Sequence, residues 1–174
     1  MGFFSNLFGG KAKEEAPAGS SAKSKAKTVY CPVAGTAIPL AEVEDPVFSQ
    51  GMMGEGVGIR PSEGRLYAPA DGTIAAVFPT GHAVGMQTED GMELLLHIGI
   101  DTVEMKGEGF KAVVEQGAKV KKGDLLVEFD CAAIEAAGFK TTTMVLVSNA
   151  AMIGKMSQPK LGEVKPSEEL FSFQ

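Results

Sequence analysis

The sequence has only two cysteines and no long apolar run. Cys31 and Cys131 lie far apart and form no C-x-x-C pair, which argues against a disulfide framework or a cysteine-rich zinc site and favours a reducing compartment. No stretch approaches the ~18 consecutive apolar residues expected of a membrane-spanning helix. Because the first residues also lack the charged and apolar regions of a secretory signal, we expect a cytoplasmic protein.

Charge is divided unevenly between the beginning of the chain and the rest. Residues 1–28 contain five lysines and two glutamates, which gives +3, whereas the formal net charge of all 174 residues is −6. The remainder therefore carries −9. An acidic body is a poor match for nucleic acid, and it is expected to attract a basic protein partner.

Composition separates the chain into two parts. Residues 9–28 are mainly Gly, Ala, Ser and Lys, with too few large apolar side chains to offset the entropy lost on folding. The residues before them form a short apolar stub with helical spacing, which is expected either to touch a membrane weakly, to contact a partner, or to have no role. We therefore predict a stub and disordered linker at 1–28 and a single domain at 29–174.

From residue 29 onward, short apolar runs alternate with Gly, Pro and Asp-Gly turn signals. Many short strands separated by turns predict an all-β sandwich or barrel. The sequence at 32–36 (PVAGT) recurs at 69–73 (PADGT), which indicates a duplicated β motif. One short helix is predicted at 131–137, with Asp130 able to cap its beginning and Gly138 its end.

The only two histidines, His82 and His97, lie on strand-like runs around Asp90-Gly91. If those two residues form a type I′ turn, His97 faces Val84. His82 is then its diagonal neighbour on the same face, roughly 7–8 Å away at the backbone. A three-residue loop would instead place the histidines on opposite faces.

Alternation along the second run predicts which side chains face the core. Glu93, Leu95, His97 and Gly99 share the outer face. The opposite face is expected to point into the core and consists of Leu94, Leu96, Ile98 and Ile100.

Two converging histidines indicate either a metal site or catalysis by histidine. A structural pair held by hydrogen bonds is the third interpretation. Zinc takes three or four ligands; the nearby carboxylates of Glu93, Asp101 and Glu104 show no metallopeptidase spacing. A neutral imidazole is also a nucleophile that can hold a covalent group. A phosphoryl group needs hydrogen-bond donors and little adjacent bulk, which His82, the Thr80 hydroxyl and the backbone at Gly99 can supply.

A carrier with a modified lysine is another reading. Residues 120–125 resemble a turn found in biotinyl and lipoyl domains, which carry their cofactor on a lysine at a hairpin tip. Lys106 is the loose match, and the residues around it do not repeat the flanking pattern.

The segment 94–110, LLLHIGIDTVEMKGEGF, closely resembles the region around the phosphorylated histidine in a known family. That family is the glucose-type IIA component of the bacterial phosphoenolpyruvate-dependent sugar phosphotransferase system. The resemblance covers essentially all of 29–174. It is also carried by APADGTI at 68–74, FPTGHA at 78–83, DPVF at 45–48 and VEFD at 127–130.

The resemblance implies a compact antiparallel β-sandwich with both histidines in a shallow depression. His97 matches the phosphoacceptor, modified at Nε2, while His82 matches the second active-site histidine and Thr80 its neighbouring hydroxyl. The chain would be a phosphotransferase component, a stoichiometric carrier that takes phosphate from the small protein HPr. It would pass the phosphate to a cysteine of a IIB domain of a sugar permease.

The resemblance requires no cofactor. In some family members the two matching histidines bind zinc, with a partner's carboxylate completing the site, so His82 and His97 are the expected ligands here. Some members also bind regulatory targets, and a non-catalytic regulatory module using the same surface is the alternative function.

The predicted partner surface is an apolar patch with an acidic rim. The expected patch residues are Val47, Phe48, Met52, Met53, Phe78, Leu95 and Val103. The expected rim residues are Asp45, Asp101 and Glu104.

Overall fold

A computed structural model describes residues 27–174, so the apolar stub and most of the predicted linker lie outside the described residues. Short strands dominate the described chain, as the turn-rich pattern predicts. The strands are β1 Lys27–Tyr30, β2 Gly35–Pro39, β3 Glu55–Pro61, β4 Arg65–Tyr67, β5 Gly72–Val77, β6 Ala83–Thr88, β7 Glu93–Ile100, β8 Phe110–Ala112, β9 Lys119–Val120, β10 Leu125–Phe129, β11 Lys140–Val147, β12 Gly162–Val164 and β13 Glu169–Phe173.

Helices in the described residues are short. The α-helices are α1 Pro46–Ser49, α2 Cys131–Ala136 and α3 Ala150–Ile153, and two 3₁₀ turns span Leu40–Glu42 and Thr102–Met105. The helix predicted at 131–137 is confirmed to within one residue, and the Asp130 carboxylate accepts a hydrogen bond from the Ala133 amide (3.0 Å). Across residues 27–174, no helix has the length and apolar character needed to span a membrane.

All strand pairings in the described chain are antiparallel. The largest sheet has eight strands in the order β12-β2-β3-β11-β7-β6-β5-β9, and smaller sheets join β4-β10-β8 and β1-β13. The predicted antiparallel all-β fold is therefore confirmed.

The repeated PxxGT sequences occupy equivalent positions. Gly35 begins β2 and Gly72 begins β5. A Cβ on either glycine would run into a backbone carbonyl of the partner strand, that of Arg60 or of Gln87. Both copies of the motif thus use glycine to let two backbones approach closely.

Apolar side chains form two clusters on opposite faces of the large sheet. Along β11, Val145 and Val147 point into the main core, whereas Met144 and Leu146 point into a smaller cluster. This second cluster is covered by the segment 40–49, which contains one 3₁₀ turn and α1. Its buried members are Ile38, Val43, Phe48, Ile100, Met144 and Leu146.

The prediction that Ile100 faces the main core is wrong. Leu94, Leu96 and Ile98 do so, but Ile100 packs in the second cluster. The physical reason is Gly99, whose φ of 80° interrupts the alternation of side chains at the end of β7.

The two-residue turn predicted at Asp90-Gly91 is also wrong. The Thr88 amide donates to the Met92 carbonyl (2.9 Å), and the Thr88 hydroxyl accepts from the Met92 amide (2.9 Å). Three residues, 89–91, therefore form the loop, with Gly91 at a φ of 96°. As a result Ala83, rather than Val84, lies opposite His97.

Strand β1 contains two residues, Lys27 and Thr28, that composition places in the linker. Lys27 pairs with Phe173 and Thr28 with Ser172, so both residues belong to β1. Their polar side chains resemble those of the linker, and pairing through the backbone leaves no mark on composition.

This pairing predicts a sharp difference between two truncations. Deletion of residues 1–28 removes half of β1, and losing about 1 kcal/mol of strand pairing should lower the melting temperature by roughly 2–4 °C. Deletion of 1–26 keeps β1 whole and should leave the melting temperature equal to that of the full chain. Differential scanning calorimetry measures both, and equal melting temperatures for the two truncations would show that β1 adds no stability before Val29.

Candidate functional site

His97 lies on β7, on the face of the large sheet that carries the second cluster. Its cross-strand neighbours are Ala83 on β6 and Met144 on β11. The imidazole is half-buried. Its ring centroid lies 5.0 Å from that of Phe48 and 4.9 Å from that of His82. The prediction that the two histidines converge is therefore confirmed.

The hydrogen bonding of His97 fixes which nitrogen is free. Nδ1 lies 2.9 Å from the Gly99 carbonyl oxygen. Because a carbonyl oxygen only accepts, Nδ1 must carry the proton in this bond. A neutral His97 therefore has its lone pair on Nε2, the atom that a nucleophilic role requires.

His82 reaches His97 by a route that strand alternation does not predict. It precedes the first residue of β6 and follows Gly81, which has a φ of 75°. Its carbonyl accepts from the Ile98 amide (2.7 Å), which ties this turn to β7. Because His82 lies outside the regular strand, the three-residue loop at 89–91 does not move its ring to the opposite face.

The His82 imidazole is almost fully covered, with 3% of its surface exposed. Its Nδ1 is hydrogen-bonded to the Thr80 hydroxyl. Two aromatic rings stand edge-on to it, Phe78 with centroids 5.5 Å apart and Phe110 at 6.4 Å. Thr80 thus lies beside His82, as the resemblance implies. The bond uses Nδ1, so Nε2 is the His82 nitrogen outside this hydrogen bond.

Desolvation keeps both imidazoles neutral at pH 7. Burial is the main cause that lowers the pKa of His97, from 6.5 to about 4, and the neighbouring His82 lowers it further. The hydrogen bond to Gly99 and the carboxylates of Asp45 and Asp101 oppose this shift. Burial also lowers the pKa of His82.

The predicted apolar patch is exposed at most of its positions. Met52 is the most open, with 70% of its surface accessible. Leu95 is half-buried and packs against the second cluster. The other exposed members are Val47, Met53, Phe78 and Val103.

Phe48 corrects the predicted patch. Only 7% of its surface is exposed, because its ring packs on His97 and fills the second cluster. Phe48 therefore packs beneath the imidazole and does not belong to the exposed patch. The short helix α1 accounts for the difference, since it turns Phe48 inward while the adjacent Val47 faces solvent.

Two of the three predicted rim carboxylates act on His97. Asp45 caps α1 by accepting from the Val47 amide (2.9 Å), and Asp101 has a left-handed φ of 61° before the second 3₁₀ turn. Both raise the pKa of His97. Glu104 is exposed on that same 3₁₀ turn.

Glu93 and Lys106, the candidate metal ligand and the candidate modified lysine, do not belong to this site. Glu93 pairs with Gln87 at the opposite end of β7. Lys106 ends a 3₁₀ turn with a φ of 56°, which is not the hairpin tip that a biotinyl or lipoyl carrier needs. Among residues 27–174, no group of three or more His, Cys, Asp or Glu side chains is placed to hold a metal ion.

The sequence did not predict two contacts of His82. One is with Phe110, and the other is with Phe78 in the turn 78–81, which covers the imidazole. Phe110 ends the segment 94–110 that carries the family resemblance, so its position in the sequence was visible. Its contact with His82 was not, because it depends on the chain reversal between β7 and β8.

Residues 27–153 match the sequence family described as phosphoenolpyruvate-dependent sugar phosphotransferase system, EIIA 1. The chain belongs to this family. The EIIA resemblance found in the sequence is thereby confirmed.

Relatives of this EIIA chain include a free-standing protein and a multidomain one. The chain is 44% identical over 165 residues to the PTS system glucose-specific EIIA component of Oceanobacillus iheyensis, covering 95% of this chain and 94% of that protein. It is 43% identical over 151 residues to the PTS system beta-glucoside-specific EIIBCA component of Halalkalibacterium halodurans, covering 87% of this chain. It spans only 24% of that longer protein.

A solved structure has the same fold as this EIIA chain. The glucose permease IIA from Mycoplasma capricolum superimposes with a TM-score of 0.82 at 37% sequence identity, covering 86% of this chain and 97% of that one.

The depressed pKa of His97 predicts a pH-dependent loss of stability. Its pKa is about 4 in the folded protein and near 6.5 when unfolded, so the unfolded chain binds the proton first as pH falls. Between pH 7 and pH 4, the wild-type free energy of unfolding should fall relative to that of His97→Gln by on the order of 2 kcal/mol. Urea unfolding of both proteins at several pH values measures this.

The comparison with His97→Gln removes the contribution of acidic groups that titrate in the same range. The pKa values of Glu44 and Glu168 are also lowered, but both groups are present in both proteins. Parallel stability curves for wild type and variant would contradict a desolvated, neutral His97.

Proposed function

We propose that this protein is a stoichiometric phosphohistidine carrier, with His97 Nε2 as the atom that accepts the phosphoryl group. The observation that supports this most directly is the bond between His97 Nδ1–H and the Gly99 carbonyl, which leaves the lone pair on Nε2. The low pKa of His97 adds to it, because an imidazolium has no lone pair to donate.

The accepting step is an exchange of one nitrogen–phosphorus bond for another. The His97 Nε2 lone pair attacks phosphorus as the bond to the donor's histidine nitrogen breaks, and that electron pair returns to the donor's ring. The Nδ1 proton stays on His97, where the Gly99 carbonyl stabilises the positive charge that develops on the ring.

His82 is proposed to bind the phosphoryl oxygens. Its ring lies 4.9 Å from that of His97 and almost perpendicular to it, at 81°. If the Thr80 hydroxyl donates to His82 Nδ1, the neutral His82 carries its proton on Nε2 and can donate it to an oxygen of the transferred group. Thr80 would then set the tautomer of His82, as Gly99 sets that of His97.

The proposed donor is phosphorylated HPr, and the proposed acceptor is a cysteine of a IIB domain in a sugar permease. Relatives whose names join EIIA to EIIB and EIIC components in one chain support a IIB acceptor. The family's dependence on phosphoenolpyruvate supports a phosphoryl donor upstream and a cytoplasmic location.

Zinc would fit this site only with help from a partner. Both Nδ1 atoms are engaged within the chain, so the two Nε2 atoms of His82 and His97 would be the ligands. For His82 this requires the other tautomer, in which Nδ1–H donates to the Thr80 hydroxyl and the lone pair lies on Nε2. They supply half of a tetrahedral shell, and a partner's carboxylate would have to complete it. Bound zinc would supply a link between this surface and the partner.

The two histidines should respond differently to substitution. His97→Ala removes the acceptor and should abolish phosphorylation by phospho-HPr. His82→Gln keeps a donor but loses the imidazole, so it should still be phosphorylated. Its onward transfer to the IIB cysteine should fall at least ~10-fold, which corresponds to about 1.4 kcal/mol of transition-state stabilisation. A labelled-phosphate chase from HPr to IIB measures both steps.

The two variants serve as controls for each other, because each changes one ring of the same pair. Phosphate found on His82 in the wild type would reverse the assignment. Equal onward rates for wild type and His82→Gln would leave His82 without a role in transfer. A failure of the wild type to be phosphorylated, with partner binding retained, would support the regulatory alternative.

The acidic rim predicts a salt-dependent rate of phosphate arrival. Neutralising Asp101 and Glu104 should slow phosphorylation by HPr roughly 3–10-fold at low salt, with little effect near 1 M salt, where charges are screened within about 3 Å. Asp101→Asn is preferred to lysine, because Asn tolerates the left-handed φ of 61°. Stopped-flow phosphorylation at several salt concentrations measures this.

The matched control neutralises two exposed carboxylates that lie away from the histidines. Glu89 is in the loop at the far end of β6, and Glu163 is on the edge strand β12. Glu89→Gln with Glu163→Gln changes net charge equally and should leave the rate near that of the wild type. Equal slowing by both pairs would show that net charge, rather than the rim, steers the donor.

A further inference from the structure

Thr102 is a fully buried threonine next to the candidate site, with 0% of its surface exposed. It begins the 3₁₀ turn that follows β7. Its hydroxyl donates a hydrogen bond to the Ile98 carbonyl, four residues earlier. The chain between these two residues is thereby closed into a compact reversal that contains Gly99.

Thr102 also confines Gly99 by direct contact. Its methyl carbon and hydroxyl oxygen occupy the space that a Cβ on Gly99 would need. The Lys140 carbonyl of β11 closes the other side of that space, 2.9 Å from the same position. Gly99 is therefore held between Thr102 and Lys140 in its left-handed conformation, with a φ of 80°.

That conformation decides where the Gly99 carbonyl points. In a regular strand, backbone carbonyls point along the sheet towards neighbouring strands. Here the Gly99 carbonyl instead accepts from the side chain of His97, 2.9 Å away. The hydrogen bond to the His97 imidazole thus depends on the left-handed conformation of Gly99, against which Thr102 packs.

We propose that Thr102 is a positioning residue, which holds the Gly99 carbonyl on His97 Nδ1 and so keeps the lone pair on Nε2. This inference rests on the proposed phosphocarrier function. It concerns the free protein, because the imidazole has to present Nε2 before any donor arrives.

The chemical consequence of losing this bond is a change of tautomer. A neutral imidazole carries one proton, and without the carbonyl acceptor that proton is no longer confined to Nδ1. Molecules with the proton on Nε2 have no lone pair there to form the bond to phosphorus. The rate of phosphorylation should therefore fall with the population of the Nδ1–H form.

The test uses the variant Thr102→Val, which keeps the shape of the side chain and removes the hydroxyl. Nitrogen-15 NMR of the unphosphorylated full chain reports which ring nitrogen of His97 is protonated. The wild type should show the Nδ1–H form, and Thr102→Val should show a mixture with Nε2–H. Phosphorylation by phospho-HPr should slow by ~10-fold in Thr102→Val. Thr102→Ser keeps the donor and should retain both the wild-type tautomer and most of the rate.

Thr143→Val is the matched control. Thr143 is also 0% exposed and also donates to a backbone carbonyl, that of Thr141 (3.0 Å), but none of the three atoms nearest to a Cβ on Gly99 belongs to it. It should keep the wild-type tautomer. If Thr102→Val does not fold, Thr102→Ser and Thr102→Ala give the same contrast, because they differ by the hydroxyl alone.

A wild-type tautomer and rate in a folded variant without the hydroxyl would overturn the proposal. So would an equal change of tautomer in Thr143→Val. Because the NMR measurement needs no phosphoryl donor, it tests the positioning role even if the wild type proves not to accept phosphate, which would instead refute the proposed function.

Discussion

The hydrogen bond from His97 Nδ1 to the Gly99 carbonyl constrains the whole site. For this bond, the Gly99 carbonyl has to point at a side chain two residues earlier on the same strand. A regular strand does not orient its carbonyls in this way. The chain meets this requirement with a glycine at a φ of 80°, and the same residue ends the alternation of β7. One backbone irregularity therefore orients the imidazole and moves Ile100 from the main core to the second cluster.

The second requirement is that the imidazoles stay neutral while remaining reachable. Phe48 packs against the half-buried His97, and Phe78 and Phe110 stand edge-on to the almost fully covered His82, so aromatic carbon replaces water beside both rings. Asp45 and Asp101 favour protonation of His97, but desolvation is the larger effect and the pKa remains about 4. The predicted acidic rim can thus coexist with a neutral imidazole, since these carboxylates do not restore its charge.

The sequence predicted those parts of the molecule that short-range patterns determine. Apolar alternation identified the inward face of β7 from Leu94 to Ile98, and the Asp130 cap identified α2 within one residue. The loop 89–91 was mispredicted because a hydrogen bond between Thr88 and Met92, not the Asp-Gly pair, sets its length. The histidine pair was found through its rarity and the family motif, whereas its aromatic surroundings depend on contacts between distant segments.

The short helix α1 contacts both solvent and the His97 imidazole. The outer side of α1 presents Val47 to solvent, and its inner side presses Phe48 against the imidazole of His97. Gly58 on β3 lets the segment 40–49 pack closely on the sheet, because a Cβ there would lie 2.6 Å from a methyl carbon of Val43. Any partner that shifts α1 on docking would also shift the ring that supports the proposed nucleophile. One helical turn thus connects the proposed contact surface directly to the His97 imidazole.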